Sequence, residues 1–597
     1  MIEQLQRTVG ARAAPHCRIP LPNFSLFTLL LSLLALPPSL LATPLSLTHH
    51  HSFNQAPIRD AHWHRNASGT LLTFSRLSYY LSDLAFVDAA GNATPASPSL
   101  HYVDAFTPDP APTTLDLPPG DYTAIRFNLG LPPDLNHSDP KQYPASHPLS
   151  SIANAMHWSW QSGYIFCAIE GYATATDATE QLGFSYHLAN DAFLVPVEIP
   201  LDLAHRDSPQ SLELAFDLGA LLDGQGFSLL ERSSTHSRPG DPVAISLAAQ
   251  LPKAFSATRS SHATASATSS APAAPPAAAF VGTPLPFSLP KNFPIPNLPT
   301  DYPLTQERVE LGQTLFHSTD LSRNGALSCV SCHSAENAFA DPRQFSVGFD
   351  GSLGRRQSMP LLNLAWKTSF FWDGRAASLR EQVLHPIQDP TEMGAELPHL
   401  LARLQANPVF AAQFQAAFGD PQITAERLGI ALESFLLTLT SYQSKFDSAV
   451  AGQTELTAQE KRGFELFTTE YDPRRQLYEA DCFHCHGSAT FSDNLFHNNG
   501  LPPTDDRGRA AFTGRESDAY SFATPTLRNV AATAPYMHDG RFQSLEEVIA
   551  HYNSGIQKSS TLDPNLAKHP TTGLQLSDAD QAALVAFLRT LTDPRFE

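Results

Sequence analysis

The pentapeptide Cys-x-x-Cys-His occurs twice in this chain, as Cys329-Val-Ser-Cys332-His333 and Cys482-Phe-His-Cys485-His486. Two thiols followed at once by an imidazole form the attachment signal of a c-type haem. The thiols add to the porphyrin vinyl groups and the histidine reaches the iron as proximal ligand. The competing arrangement, one zinc held by two Cys pairs, keeps its pairs within about 20 residues, and about 150 separate these. Two covalent haems are therefore expected, and the chain reads as a redox protein.

Its 597 residues exceed one core and predict three or four domains of about 100–200 residues each. A net charge of −20 excludes nucleic acid as a partner, because phosphate binding needs a basic face. Arg7, Arg12 and Arg18 precede the apolar run Phe24 to Leu36, and Ser39-Leu-Leu-Ala42 offers a cleavage site. Residues 1–42 thus read as a signal peptide that directs export to the periplasm. The run is shorter than the ~20 residues of a spanning helix, so no stable membrane span is expected after cleavage; a retained anchor is the alternative. With Cys17 removed and four thiols given to haem, Cys167 is left alone and no structural disulfide is predicted.

Composition divides the mature chain. Residues 253–284 are rich in Ala, Ser, Thr and Pro, bury too little apolar surface to offset their ordering entropy, and read as a linker. Before it, residues 43–252 alternate apolar and polar positions between Pro-, Gly- and Asn-rich turns, as in Leu71-Leu-Thr-Phe-Ser-Arg-Leu-Ser-Tyr-Tyr. That pattern predicts an all-β, sandwich-like, mostly antiparallel domain. After it, apolar residues recur at three- and four-residue steps, as in Leu428-Gly-Ile-Ala-Leu-Glu-Ser-Phe-Leu. This predicts a mostly α-helical region of two cytochrome c-like lobes, 285–445 and 446–597.

Four blocks of the helical region carry a resemblance: Leu311-Gly-Gln-Thr-Leu-Phe, Leu327-Ser-Cys-Val-Ser-Cys-His, Phe371-Trp-Asp-Gly-Arg-Ala, and Thr526-Leu-Arg-Asn-Val through Pro535-Tyr-Met-His-Asp-Gly-Arg-Phe. Together they resemble the bacterial di-haem cytochrome c peroxidase superfamily, in its MauG-like, MbnH-like branch. The resemblance implies that the first haem meets H2O2, with Glu392 as acid/base, Gln382 orienting the peroxide and Pro386 shaping the pocket. Many classical relatives cap that iron with a distal His, but residues 334–384 contain none, so an open first iron is expected. On the second haem the resemblance implies Tyr552 as axial ligand in place of a Met, with Met537 as a nearby rival. A phenolate is a hard anionic donor that favours oxidised iron. Trp372 takes the place of an inter-haem tryptophan. Gln357, Thr533 and Pro535 take the places of a Ca²⁺ site, with Gln357 where the family has Asn.

The β part carries a second resemblance. Met156-His-Trp-Ser-Trp-Gln-Ser-Gly-Tyr through Glu170-Gly, with Tyr79-Tyr-Leu-Ser-Asp-Leu and His101-Tyr-Val-Asp, is similar to the MbnP-like copper-binding family. Related copper proteins bind the metal through His beside a kynurenine made from Trp. The expected copper ligands are His101 and one of His49 to His51, taken as His51. The oxidation candidates are Trp63, Trp158 and Trp160.

These readings combine into one expectation: H2O2 drives the di-haem part to a high-valent state that oxidises a Trp of its own, or a neighbouring, β domain. Two alternatives stand beside it. One is a peroxidase that detoxifies H2O2 with electrons from a small donor protein. The other is a non-catalytic copper-handling protein whose haems only carry electrons.

Overall fold

The computed structural model describes residues 43–597 apart from 60–61, 108–109, 145–146, 151–153, 155, 159–162, 175–181, 207–209, 224–228, 231, 236, 239, 261–280, 288–292, 297, 470, 473–476, 570–571 and 597. The expected signal peptide lies outside the described residues. Among those described, no helix is long and apolar enough to cross a membrane.

Two β-sheets close on one core in the N-terminal part. The larger runs in the order Val195–His205, Gly120–Leu129, Leu71–Asp88, Gly163–Thr174, Leu182–Ala189, Ser234–Thr235; each pairing but the last is antiparallel. In the smaller, Thr43–Phe53 pairs in parallel with Gln210–Asp217. Alternation decides what goes inside. Val195, Val197, Ile199, Leu201 and Leu203 are buried while Pro196, Glu198 and Asp202 are exposed. They meet Leu45, Leu47, Leu212, Leu214 and Phe216 of the other sheet in a single cluster.

Composition predicts a linker from residue 253, and the structure corrects that boundary. Helix Pro242–Ala254 runs directly into strand Phe255–Ser260, which pairs antiparallel with Gln210–Asp217. Phe255 is buried and stacks on Phe216 at 4.4 Å. One aromatic anchor and an open sheet edge outweigh a composition poor in large apolar residues.

One strand breaks the alternation. Gly163–Thr174 is buried along nearly its whole length, as a strand is when both faces of its sheet are covered. Cys167, Ile169 and Ala173 enter the sandwich core. On the opposite face, Tyr172 packs with Ile556, Leu562 and Ala567 of the helical part.

The helical part is two lobes built on one plan. In the first, Gln306–His317 crosses Ala425–Leu437; in the second, Ala458–Thr468 crosses Asp578–Arg589. Thr305, Thr424, Thr457 and Ser577 start these helices, each side chain accepting from the backbone N–H three residues on. Each such cap contributes about 1 kcal/mol. Both crossings need glycine: a Cβ on Gly312 would collide with the Ala431 carbonyl, and one on Gly463 with the Ala583 carbonyl. The lobes are tied by Arg356, which pairs with Asp373 at 2.7 Å and Asp506 at 2.6 Å.

Candidate functional site

Each Cys-x-x-Cys-His segment folds as a single tight turn. Cys329–Ser331 is a 3-10 turn and Phe483–His486 one turn of α-helix. All four thiols are free and partly buried. His333 donates from Nδ1 to the Phe339 carbonyl at 3.0 Å, and His486 from Nδ1 to the Phe491 carbonyl at 2.8 Å. That bond fixes the tautomer and turns the Nε2 lone pair into the ligand atom. Burial lowers both imidazole pKa values, keeping the rings neutral and ready to bind metal. Paired thiols and pre-set imidazoles fit two c-type haems.

The three residues expected on the peroxide side lie in one stretch of the first lobe. Gln382 ends helix Leu379–Gln382, and Pro386 sits in Leu384–Gln388. The Pro386 carbonyl accepts from Met393 N–H at 3.1 Å, and Asp389 from Glu392 N–H at 3.0 Å. These two bonds fold the Glu392 turn back onto the helix. Burial pushes the Glu392 carboxyl up to about 7, Asp389 adding to the shift and Arg375 opposing it. It lies within electrostatic reach of both Cys329 and Cys332. A carboxyl poised near neutrality can take up and return a proton.

The second turn faces Tyr552. Ser544 and Glu547 form the expected capping box at the start of Leu545–Ala550. The α-helix expected to carry Tyr552 instead widens into a π turn, His551–Gly555. Such single-turn bulges recur at functional sites, and this one carries Tyr552. Tyr552 OH accepts from Asn499 Nδ2 at 3.4 Å, and the same amide lies 3.4 Å from Met537 Sδ. Burial pushes the phenol up to about 12, so its ionisation calls for a cation beside it. Asn499 carries no motif and was invisible to sequence reasoning.

Between the lobes, Trp372 is buried. Its indole N–H donates to the Gln357 carbonyl at 2.8 Å, and its own carbonyl accepts from Ala523 of the second lobe at 2.7 Å. Gln357 N–H donates to His538 at 2.8 Å, close in sequence to Thr533 and Pro535. The Gln357 side-chain amide donates to the Asp341 carbonyl at 3.2 Å. Of the expected calcium residues, Gln357 thus reaches the lobe junction.

In the β part, alternation along Thr43–Phe53 puts His49 and His51 on one face. Their rings stack at 6.5 Å, both beside Tyr79. His51 Nε2 bonds Tyr79 OH at 3.0 Å. Both ring nitrogens of His49 are buried without a hydrogen-bond partner. Burial pushes the His49 imidazole down to about 4, with His101 adding to the shift, and His51 down to about 3. His101 opens strand His101–Asp104, and its Nε2 donates to the Pro98 carbonyl at 3.0 Å. Neutral, desolvated imidazoles suit copper, and His49 offers two buried ring nitrogens without a hydrogen-bond partner beside the expected His51. Of the three oxidation candidates, Trp63 is partly buried, Trp160 lies outside the described residues, and of Trp158 only the backbone, paired with Gly163, is described.

The outer face of the larger sheet is closed by the second lobe. Glu170 accepts from Arg76 at 3.2 Å and pairs with His187 at 2.8 Å. Burial alone would raise this carboxyl, but Arg76 and His187 hold it far below the carboxylate range. Across the boundary, His187 faces His484 at 5.7 Å, within the second haem motif, and Asp481 pairs with His484 and Lys568.

Three family models match successive stretches of the chain. Residues 306–455 match the family model described as di-haem cytochrome c peroxidase, residues 42–237 the MbnP model and residues 474–592 the cytochrome c model. The methylamine utilization protein MauG of Methylorubrum extorquens is 38% identical over 309 residues, 51% of this chain and 83% of the relative. Cytochrome c551 peroxidase of Pseudomonas aeruginosa is 32% identical over 51% of this chain and 85% of its own. A crystal structure of a MauG-like protein associated with microbial copper homeostasis aligns at 33% identity and TM-score 0.47, covering 52% of this chain and 99% of that one. MbnP from Methylosinus trichosporium aligns at 16% identity and TM-score 0.27, covering 37% and 99%. The chain belongs to the MauG family of di-haem peroxidase-type oxidoreductases, joined here to an N-terminal MbnP domain.

Proposed function

We propose that this protein is a periplasmic enzyme that uses H2O2 to oxidise a tryptophan of its own β domain to kynurenine, and that the same domain binds copper through His49, His51 and His101. The observation that carries this reading is the docking of the β domain on the lobe that holds Tyr552: Trp63 and Tyr552 pack against the same buried cluster. When bound, the haems supply the capacity to accept electrons from a remote donor and deliver them to peroxide.

This chain's own residues do the rest. Glu392, with its carboxyl near neutrality, takes the proton from one peroxide oxygen and returns it to the other. Gln382 orients the peroxide and Pro386 shapes the pocket around it. Trp372, clamped at both ends between the lobes, lies on the way from one haem site to the other. Tyr552, as phenolate, favours the oxidised state at the second site. Gln357, Thr533 and Pro535 stand ready for a calcium ion that would brace the junction.

Holoprotein exposed to H2O2 should gain oxygen on a peptide bearing Trp63, Trp158 or Trp160. Peroxide consumption with all three unchanged would sink the proposal. The peroxidase reading has one observation on its side, Met537 beside the same Asn499 amide as Tyr552. It requires rapid turnover with a reduced small cytochrome.

A further inference from the structure

The geometry points to Trp63 as the indole that is oxidised, with Tyr172 as the relay that draws its electrons toward the second haem site. This inference rests on the function proposed above and adds the residue and the route.

Four buried side chains form an apolar cluster between sheet and second lobe: Tyr172, Ile556, Leu562 and Ala567. Tyr172 alone among them can be oxidised. Tyr552 packs on this cluster from the lobe, and Trp63 packs on it from the β domain. Strand pairing fixes Tyr172 in place, between Thr73 on one side and Gly183 on the other. Gly183 allows the approach, since a Cβ there would strike the Pro564 carbonyl and Ala567. The lobe side is equally rigid. Asp563 caps helix Pro564–Ala567 and bonds His497, which in turn bonds Asp493 beside the second haem motif. The charged and titratable groups facing Tyr172 are Asp563, Glu170 and His497. An oxidised phenol sheds its proton, which passes toward Asp563 on the lobe side, Glu170 being held as a carboxylate by Arg76 and His187.

The chemistry balances with H2O2 as the sole oxidant. Four electrons leave the Trp63 indole one at a time through Tyr172, with four protons, and reduce two H2O2 to four waters. Two water oxygens enter at indole C2 and C3 and the C2–C3 bond breaks, giving N-formylkynurenine. Hydrolysis of the formamide then releases formate and leaves kynurenine.

The test uses full-length holoprotein in ¹⁸O-labelled water, treated with H2O2 and mapped by peptide mass. Wild type should carry the label on the Trp63 peptide. Tyr172→Phe should keep the haem spectrum and its peroxide response yet lose Trp63 oxygenation, and Tyr172→Trp should restore it. In Trp63→Phe, with no donor behind it, a tyrosyl radical should persist in electron paramagnetic resonance and vanish when Tyr172→Phe is added. Oxygen on the Trp158 or Trp160 peptide with Trp63 unchanged, or a Tyr172→Phe protein that modifies Trp63 like wild type, would overturn the route while leaving the proposed function standing. Oxygen on no tryptophan would overturn both.

Discussion

Replacing Glu392 by Gln should make the protein more stable and far less reactive toward peroxide. Burial carries this carboxyl from its ordinary 4.5 to about 7, worth roughly 3 kcal/mol at about 1.36 kcal/mol per pH unit. The sign follows from linkage. Below pH 4.5 the carboxyl is protonated in folded and unfolded chains alike, so Gln gains nothing. Between 4.5 and 7 only the unfolded chain loses its proton, and stability falls as pH rises. Above 7 the folded chain holds a desolvated carboxylate and the penalty is complete. Denaturation of both proteins across this range should show the stability difference opening from nothing at acid pH to at most ~3 kcal/mol in favour of Glu392→Gln at pH 8. Stopped-flow mixing with H2O2 should show a rate that climbs through pH 7 in wild type, and a pH-independent rate lower by about 10²–10⁴ in the variant. A variant as reactive as wild type, or a stability difference that ignores pH, would refute the assignment.

Tyr552→Met should raise the reduction potential of the second haem in a potentiometric titration, because a thioether favours reduced iron, and should abolish Trp oxygenation while peroxide is still consumed. Gly183→Val should push the sheet off helix Pro564–Ala567 at a cost of about 1–3 kcal/mol, seen as faster proteolytic separation of the two parts with both haem spectra intact. His49→Ala should lower copper binding by peroxide-treated protein, measured by equilibrium dialysis, more than the same change at His50.

Much of this was legible because chemistry with strict spacing leaves a mark in sequence. The two haem motifs, the capping box before Tyr552 and the Glu392 turn depend on local order, and the structure keeps them local. What escaped depends on encounters between distant segments. Gly163–Thr174 reads as a strand, yet nothing in it says that a helix some 390 residues later covers its outer face. Asn499 joins Tyr552 and Met537 only through tertiary folding. His49 stands in a run of three histidines, and its distinction is a buried ring without a partner. Phe255–Ser260 looks like linker because its stability comes from a neighbour's open edge, not from its own side chains.

Each molecule is expected to modify its own docked β domain. Mixing isotopically heavy Glu392→Gln holoprotein with light wild type, adding H2O2 and weighing the β-domain tryptophan peptides tests it most directly. Oxygen should be found on light peptides alone, at every protein concentration. Heavy peptides oxygenated as fast as light ones would contradict it.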